Sequence, residues 1–272
     1  GELPLREHLQ FERLLSGLSS RFVNIPPDRV DSEINRALKE VLEFFRVDRV
    51  ALLQVLPSNS SFRITHVASA EDMPPVPVGV EVPQSLYPWS YNKVAREREV
   101  LSLHRIDDLP AGANVDRESY IRNGVRSTLE IPILIAELVE HVILMQSNKS
   151  ERLWPEQFIP RLRLLGEIFV NSLERKQIRL EIEEYRRFER LISTLSARFV
   201  GLAPDQIDGE IQRGQRHICE LLDLDRSALF QLPEGEPRVM VLTSLHQSKG
   251  SPTVPERVNG TEFFPWTVQK IL

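Results

Sequence analysis

The strongest constraint on the fold of this 272-residue chain is an internal repeat with an offset of 177 residues. The segment FERLLSGLSSRFV, which begins at Phe11, matches FERLISTLSARFV, which begins at Phe188. About half of the positions remain identical, without a gap, for about 45 residues. The Pro-Trp pair at 88–89 recurs at 265–266. A period this long is typical of a duplicated domain and exceeds that of solenoid repeats.

The repeat predicts the domain organisation. We expect a first domain over residues 5–177, a connecting segment over 178–187, and a second copy over 188–272. Because Leu272 aligns with Ala95, the second copy corresponds only to the N-terminal half of the first. A half-domain exposes surface that belongs in a core, so we expect this copy to be completed by another chain or to be poorly supported.

The segment that joins the two copies is predicted to form one long helix. After Pro160 it contains no proline and a single glycine, Gly166, for about forty residues, and these residue types are the ones that interrupt helices. Four apolar residues follow a coiled-coil spacing of 4, 3 and 7: Ile178, Ile182, Tyr185 and Ile192. This seam favours a homodimer over a solvated connector.

Apolar spacing and helix breakers predict an α+β fold with one central antiparallel sheet and helices on both faces. We expect helices over 5–23 and from Asp28, with Asp28 as N-cap and Asp31 in the capping-box position. Strands are expected over 49–56, 62–70, 100–103, 126–135 and 139–147, and short helices over 88–97 and 117–123. Residues 71–87 hold four prolines and predict an irregular loop. The long helices should cover one sheet face, and a sheet face covered by short helices and loops is a natural place for a small-molecule cavity.

Composition and motifs exclude several classes of protein. The net charge is −5 and the basic residues are not clustered, which excludes a nucleic-acid footprint. No apolar run is long enough for a membrane span, and we expect a cytoplasmic protein with a single cysteine. We predict no catalytic residues, because the chain has no phosphate loop, nucleophile elbow or H-E-x-x-H motif. His66, His104 and His141 lack metal-site spacing; the nearest approach is His104 with Asp107 and Asp108.

The chain resembles the GAF domain family. The resemblance depends on FERLLSGLSSRFV, PPDRVDSEI, DRVALLQV, YPW at 87–89, RIDDLP at 105–110 and GVRSTLEIPI at 124–133. It implies a bacterial, non-catalytic tandem sensory module. Such a module detects a small molecule or a partner and relays the signal through the long helix to an output domain outside this chain. A sensor histidine kinase of a two-component system is the favoured parent. The alternatives are a sigma-54-dependent transcription activator and a ligand-free module for dimerisation and signal relay.

Two departures from the family limit the choice of ligand. Members that bind cyclic nucleotides carry an Asn-Lys pair, a Phe and an acidic pair, whereas Phe158 and Ile159 stand here at the place of the acidic pair. Bilin-carrying relatives hold the chromophore through a cysteine, whereas Cys219 falls in the second helix of the second copy. The sequence therefore identifies no cofactor.

Five residues are candidates for the ligand pocket. Gln54 and Trp89 recur in the second copy as Gln231 and Trp266. Arg126, Thr128 and Glu130 share one face of a predicted strand, opposite Leu129 and Ile131. Arg126 and Glu130 could pair and orient a ligand beside the Thr128 hydroxyl, and a purely structural ion pair is the alternative. Trp89 could equally be a core residue.

Overall fold

The computed structural model describes residues 5–236, 238–266 and 270. The chain divides into two compact units, the first ending at Leu180 and the second beginning at Glu181. The helices of unit 1 are α1 (Leu5–Phe22), α2 (Val30–Phe45), α3 (Pro88–Tyr91) and α4 (Asn114–Arg122). Its strands are β1 (Arg49–Leu56), β2 (Ser61–Ser69), β3 (Glu81–Pro83), β4 (Leu101–Leu103), β5 (Ser127–Ile135) and β6 (Leu138–Ser147). Helix α5 (Ile159–Phe199) begins in unit 1 and ends in unit 2.

The six strands of unit 1 form one antiparallel sheet in the order β3-β2-β1-β6-β5-β4. Strands β1 and β6 lie at its centre, so residues far apart in sequence become neighbours, as Arg49 and Gln146 do. This arrangement confirms the predicted α+β class with a central antiparallel sheet.

One sheet face packs against α1, α2 and the first part of α5. The side chains of Leu129, Ile131 and Ile133 alternate along β5 onto this face and are buried in its core. Phenylalanine rings from three elements meet there; Phe11 of α1 lies 4.7 Å from Phe158, centroid to centroid. The expectation that the apolar face of β5 meets the helices is therefore confirmed.

Helix α5 is 41 residues long, as expected from its lack of helix breakers. Its one early glycine, Gly166, has a packing reason. A Cβ added there would lie 2.4 Å from Cδ1 of Ile133 and 2.9 Å from Cδ1 of Ile143. The helix backbone thus approaches β5 and β6 more closely than any side chain at this position would permit.

Replacing Gly166 with alanine is expected to destabilise unit 1 by about 1–3 kcal/mol, because overpacking outweighs the gain in helix propensity. Gly17 of α1 is the matched control, since nothing lies within 4 Å of a Cβ added there. Gly17→Ala should stabilise by up to about 1 kcal/mol. Urea denaturation of both variants measures the difference, and equal effects at the two positions would contradict the close approach.

Three local predictions are wrong. Asp28 does not cap α2, which begins at Val30 after a tight turn at Pro27–Arg29 with no side-chain cap. Asp31 makes no capping box; its carboxylate pairs with Lys176 of α5 and with His66 of β2. Residues 71–87 are not wholly irregular, because strand β3 (Glu81–Pro83) pairs there with β2. A three-residue strand is too short to show an alternating pattern.

Unit 2 contains α6 (Ile207–Leu222), β7 (Arg226–Gln231), β8 (Val239–Gln247), β9 (Arg257–Asn259) and α7 (Gly260–Phe263). Its antiparallel sheet has the order β7-β8-β9. The bulge between β7 and β8 falls at Leu229/Phe230, and the bulge between β1 and β2 falls at Leu52/Leu53, 177 residues earlier. The sequence repeat therefore extends to an irregularity of the strand register.

Candidate ligand cavity

A cavity of about 420 Å³ lies in unit 1, on the sheet face opposite α1 and α2. Strands β1, β2, β5 and β6 form its floor, the edge strand β3 contributes Glu81 and Val82 to its wall, and the proline segment and residues of α3 and α4 form its roof. The roof elements are short, because α3 has four residues and α4 has nine. They cover the sheet without filling the space above it. The volume and the mainly apolar lining are typical of small-molecule sites.

A buried hydrogen-bonded group lies at one end of the cavity. The Tyr120 hydroxyl donates to Oε1 of Glu130 at 2.9 Å and lies 3.0 Å from Oγ of Ser90. Asp116 of α4 positions Ser90, since its carboxylate accepts the Ser90 backbone N–H at 2.8 Å. Burial raises the pKa of Glu130 to about 7, against the opposing effect of the Tyr120 hydrogen bond. The site thus holds a carboxyl group that changes protonation near neutral pH.

Arg49 and Gln146 lie at another part of the cavity wall, side by side on β1 and β6. The Arg49 guanidinium is half-buried and donates through Nε to Oγ of Ser69 at 3.2 Å and through Nη2 to the carbonyl of Pro74 at 3.0 Å. Burial lowers its pKa, but an arginine remains a cation at neutral pH. The Gln146 side chain is 8% exposed. Among the residues that the structure describes, its carboxamide has no hydrogen-bond partner.

The segment at 71–76 is tied down at two points. Arg49 holds the Pro74 carbonyl, and Nζ of Lys149 lies 2.7 Å from Oδ2 of Asp72 and 3.4 Å from Oδ1 of Asp48. Lys149 therefore has structural contacts. Asn148 has one as well, because its side chain donates to the Asn123 carbonyl at 3.1 Å. The Asn-Lys pair that the sequence places in a cyclic-nucleotide motif holds loops together here.

The five pocket candidates do not all come together. Glu130 lines the cavity, and Thr128 lies beside it, with its hydroxyl 3.5 Å from Oε1 of Glu130. Arg126 is exposed just before β5, and its expected ion pair with Glu130 is not formed. Gln54 has the same strand parity as Val50 and Leu52, which face the helices. Trp89 packs, partly buried, at the edge of the cavity-side core.

Sequence reasoning missed Tyr120, Ser90, Arg49 and Gln146. Arg49 had a usable signal, since the Asp48-Arg49 pair recurs as Asp225-Arg226. In unit 2, Arg226 likewise donates to a proline carbonyl, that of Pro252, at 2.9 Å. The other three residues reach the cavity through long-range contacts that no local pattern reports.

The histidines lie outside the cavity. His66 contacts Asp31, and the ring of His104 accepts the backbone N–H of Trp154 at 3.2 Å. Across the described ranges, His, Cys, Asp and Glu side chains form no group of three that could hold a metal ion. Likewise, no helix within those ranges is long and apolar enough to cross a membrane.

This sheet, with helices on one face and a roofed cavity on the other, is the GAF fold, as solved structures show. The photosensory core module of the Stigmatella aurantiaca phytochrome matches with a TM-score of 0.65 and 16% identity, over 85% of this chain and 49% of that one. A bacteriophytochrome from the photosynthetic bacterium R. palustris matches with a TM-score of 0.63 and 12% identity, over 82% of this chain and 49% of its own. This chain thus spans about half of each of these two structures.

A third structure is the phycoerythrobilin-bound GAF domain from a cyanobacterial phytochrome. It matches with a TM-score of 0.51 and 15% identity, over 63% of this chain and 98% of that domain. No protein-family model matches the sequence, and no curated protein matches it. At identities this low, the structural similarity establishes only the fold of the chain. Its ligand has to be argued from its own residues.

Proposed function

We propose that unit 1 is a non-catalytic sensory module whose cavity binds a small molecule. The observation that carries the proposal is a roofed cavity of about 420 Å³ with mainly apolar walls and a few polar groups turned toward it. A phytochrome domain of the same fold is described as bilin-bound, which supports a ligand-binding role. A covalent bilin is not proposed here, because the only cysteine, Cys219, belongs to α6 in unit 2.

The ligand would act on α5 through β5. Glu130 of β5 faces the cavity, and Ile133 of the same strand meets α5 at Gly166. A ligand that binds two arrangements of this strand and helix with different affinity shifts their populations. We propose that α5 relays this shift through a tandem of two such domains to an output domain, for which a histidine kinase of a bacterial two-component system is favoured over a sigma-54-dependent activator.

Filling the cavity is expected to abolish binding. Ala51 lies on the cavity floor and is buried, so Ala51→Phe places a ring where the ligand would lie. Ligands are first identified by thermal-shift screening of nucleotides, organic acids and haem. Each hit should then lose at least tenfold in affinity in the variant. Leu164→Phe is the control, since Leu164 is an exposed residue of α5. Hits that bind Ala51→Phe unchanged, or the absence of any hit, would overturn the proposal.

A second candidate function is dimerisation and relay through α5 without a ligand. The observation that favours it is the seam of Ile178, Ile182, Tyr185 and Ile192, whose side chains are all 44–63% exposed in the single chain. Exposed apolar residues at coiled-coil spacing are typical of a helix that pairs with another helix.

The seam predicts a homodimer, and two negative charges introduced into the seam should dissociate it. Light scattering of the purified chain should give twice the monomer mass of 31.3 kDa. The double variant Ile178→Glu with Ile182→Glu should return the mass to that of the monomer. Leu180→Glu is the matched control, because Leu180 is similarly exposed but lies off the seam. A wild-type monomer at micromolar concentration would refute this candidate.

A further inference from the structure

The Arg49 guanidinium supplies a positive charge at the cavity wall. The neighbouring Asp48 carboxylate acts on it electrostatically, but no carboxylate of the described residues forms an ion pair with it. Among the described residues its hydrogen bonds go to the Ser69 hydroxyl and the Pro74 carbonyl, both neutral acceptors. An arginine has five N–H donors in a planar fork, so these two bonds leave others available. A half-buried cation beside apolar walls favours an anionic partner.

Gln146 adds a second donor at the same place. It is the register partner of Arg49 across β1 and β6, so the two side chains emerge from neighbouring strands onto the same face. The residue as a whole is more than nine-tenths buried, and its carboxamide, which opens onto the cavity, finds no partner within the described part of the chain. A ligand that accepts from this amide would gain a hydrogen bond for which no described residue competes.

The rest of the cavity defines the body of the ligand. Leu53, Phe62, Ile64 and Leu144 provide an apolar floor. Glu130 and Tyr120 lie beyond it, and Glu130 is two strands away from Ala51, the next inward neighbour of Arg49. Strand spacing places the Cα atom of Glu130 about 12 Å from that of Arg49. An apolar body of one ring or a short chain fits between the two polar ends.

We propose that the ligand is a monocarboxylic acid with an apolar body, whose carboxylate is bound by Arg49 and Gln146. This inference rests on the proposed function of the cavity. A planar carboxylate accepts two parallel N–H bonds from an arginine fork and a further bond from the amide. A phosphate dianion carries a second charge, which a single arginine among apolar walls would leave uncompensated.

The test compares acids with their own amides. Phenylacetate, 4-phenylbutanoate and octanoate are titrated into the whole chain at pH 7 by calorimetry, next to the matching primary amides. Hydrogen bonds to an ionised carboxylate are stronger than those to a neutral amide. We therefore expect at least one acid to bind about tenfold or more tightly than its amide. Arg49→Gln should reduce this ratio to within about twofold while amide binding is retained. Gln146→Leu should weaken acid binding severalfold and keeps the test decisive if Arg49→Gln does not fold.

Arg126→Gln is the matched control, since it removes an exposed arginine outside the cavity. It should leave the acid-to-amide ratio unchanged. Amides that bind as tightly as acids, or an acid preference that survives both Arg49→Gln and Gln146→Leu, would show that the carboxylate inference is wrong while the cavity still binds ligands. If neither acids nor amides bind the wild-type chain, the inference is overturned, and the screen with other ligands decides separately whether the cavity binds anything.

Discussion

Replacing Glu130 with glutamine is expected to stabilise unit 1 relative to the wild type, increasingly as the pH rises from 4.5 to 7. Burial raises the pKa of Glu130 to about 7 in the folded chain, whereas an unfolded chain titrates near 4.5. Between these values the folded state holds the proton and the unfolded state has lost it, so this carboxyl group makes the wild type less stable as the pH rises. Over this window the difference between variant and wild type should grow by about 3 kcal/mol.

Urea denaturation between pH 4 and 8 measures this difference. A Trp266→Phe background removes the tryptophan of unit 2, so that fluorescence reports on Trp89 and Trp154 of unit 1. Glu140→Gln is the matched control, because Glu140 is solvent-exposed on β6. Parallel pH profiles for wild type and Glu130→Gln would show that the pKa of Glu130 is the same in the folded and the unfolded chain, and the prediction would be wrong.

Local pattern predicted the face on which Glu130 lies, but not its partners. Alternation along β5 assigned Leu129 and Ile131 to the helices and Glu130 to the other side, because strand side chains alternate strictly. Tyr120 comes from α4, whose short apolar pattern is too weak to orient it. The packing of α4 over the sheet brings the hydroxyl to Glu130, and the sequence has no periodicity that encodes such packing.

The strand face on which a residue lies does not determine how deeply its side chain is buried. This explains why Arg126 was wrongly expected to lie in the pocket. It shares its parity with Thr128 and Glu130 but precedes the first residue of β5, where the side chain meets solvent. Gln54, by contrast, could have been excluded by the alternation rule, since its parity is that of Leu52. Its recurrence as Gln231 favoured a functional interpretation that the strand geometry does not support.

Gly166 shows that a helix can be predicted from sequence while its contact with the sheet cannot. In sequence it is only an interruption tolerated within a helix. In the fold it is a point at which the backbone of α5 lies too close to Ile133 and Ile143 for any side chain. The helix itself was predictable from the absence of breakers over a long segment, whereas the contact depends on how the helix crosses the sheet, which the pattern does not specify.

Replacing His141 with leucine is expected to have a pH dependence of opposite sign to that of Glu130→Gln. His141 lies on β6 opposite Gln54 and Ile133, and it is buried, with Nδ1 lacking a partner among the described residues. Burial, and then the nearby His66, lower the pKa of His141 to about 4. An unfolded chain takes up this proton near pH 6.5. The contribution of His141, measured as the stability of the wild type minus that of the leucine variant, should therefore fall by about 3 kcal/mol as the pH falls from 6.5 to 4.

The two groups partly cancel in the wild type, which makes the double variant informative. Between pH 4.5 and 6.5, Glu130 makes the folded state less stable as the pH rises, and His141 makes it more stable. The two residues lie on opposite faces of the sheet, so their effects should add. Each single variant should reveal the slope that the other group supplies, and Glu130→Gln with His141→Leu should lose both contributions. If the free energies of unfolding of the wild type and of His141→Leu change in parallel with pH, His141 has the same pKa in the folded and the unfolded chain, and this prediction is wrong.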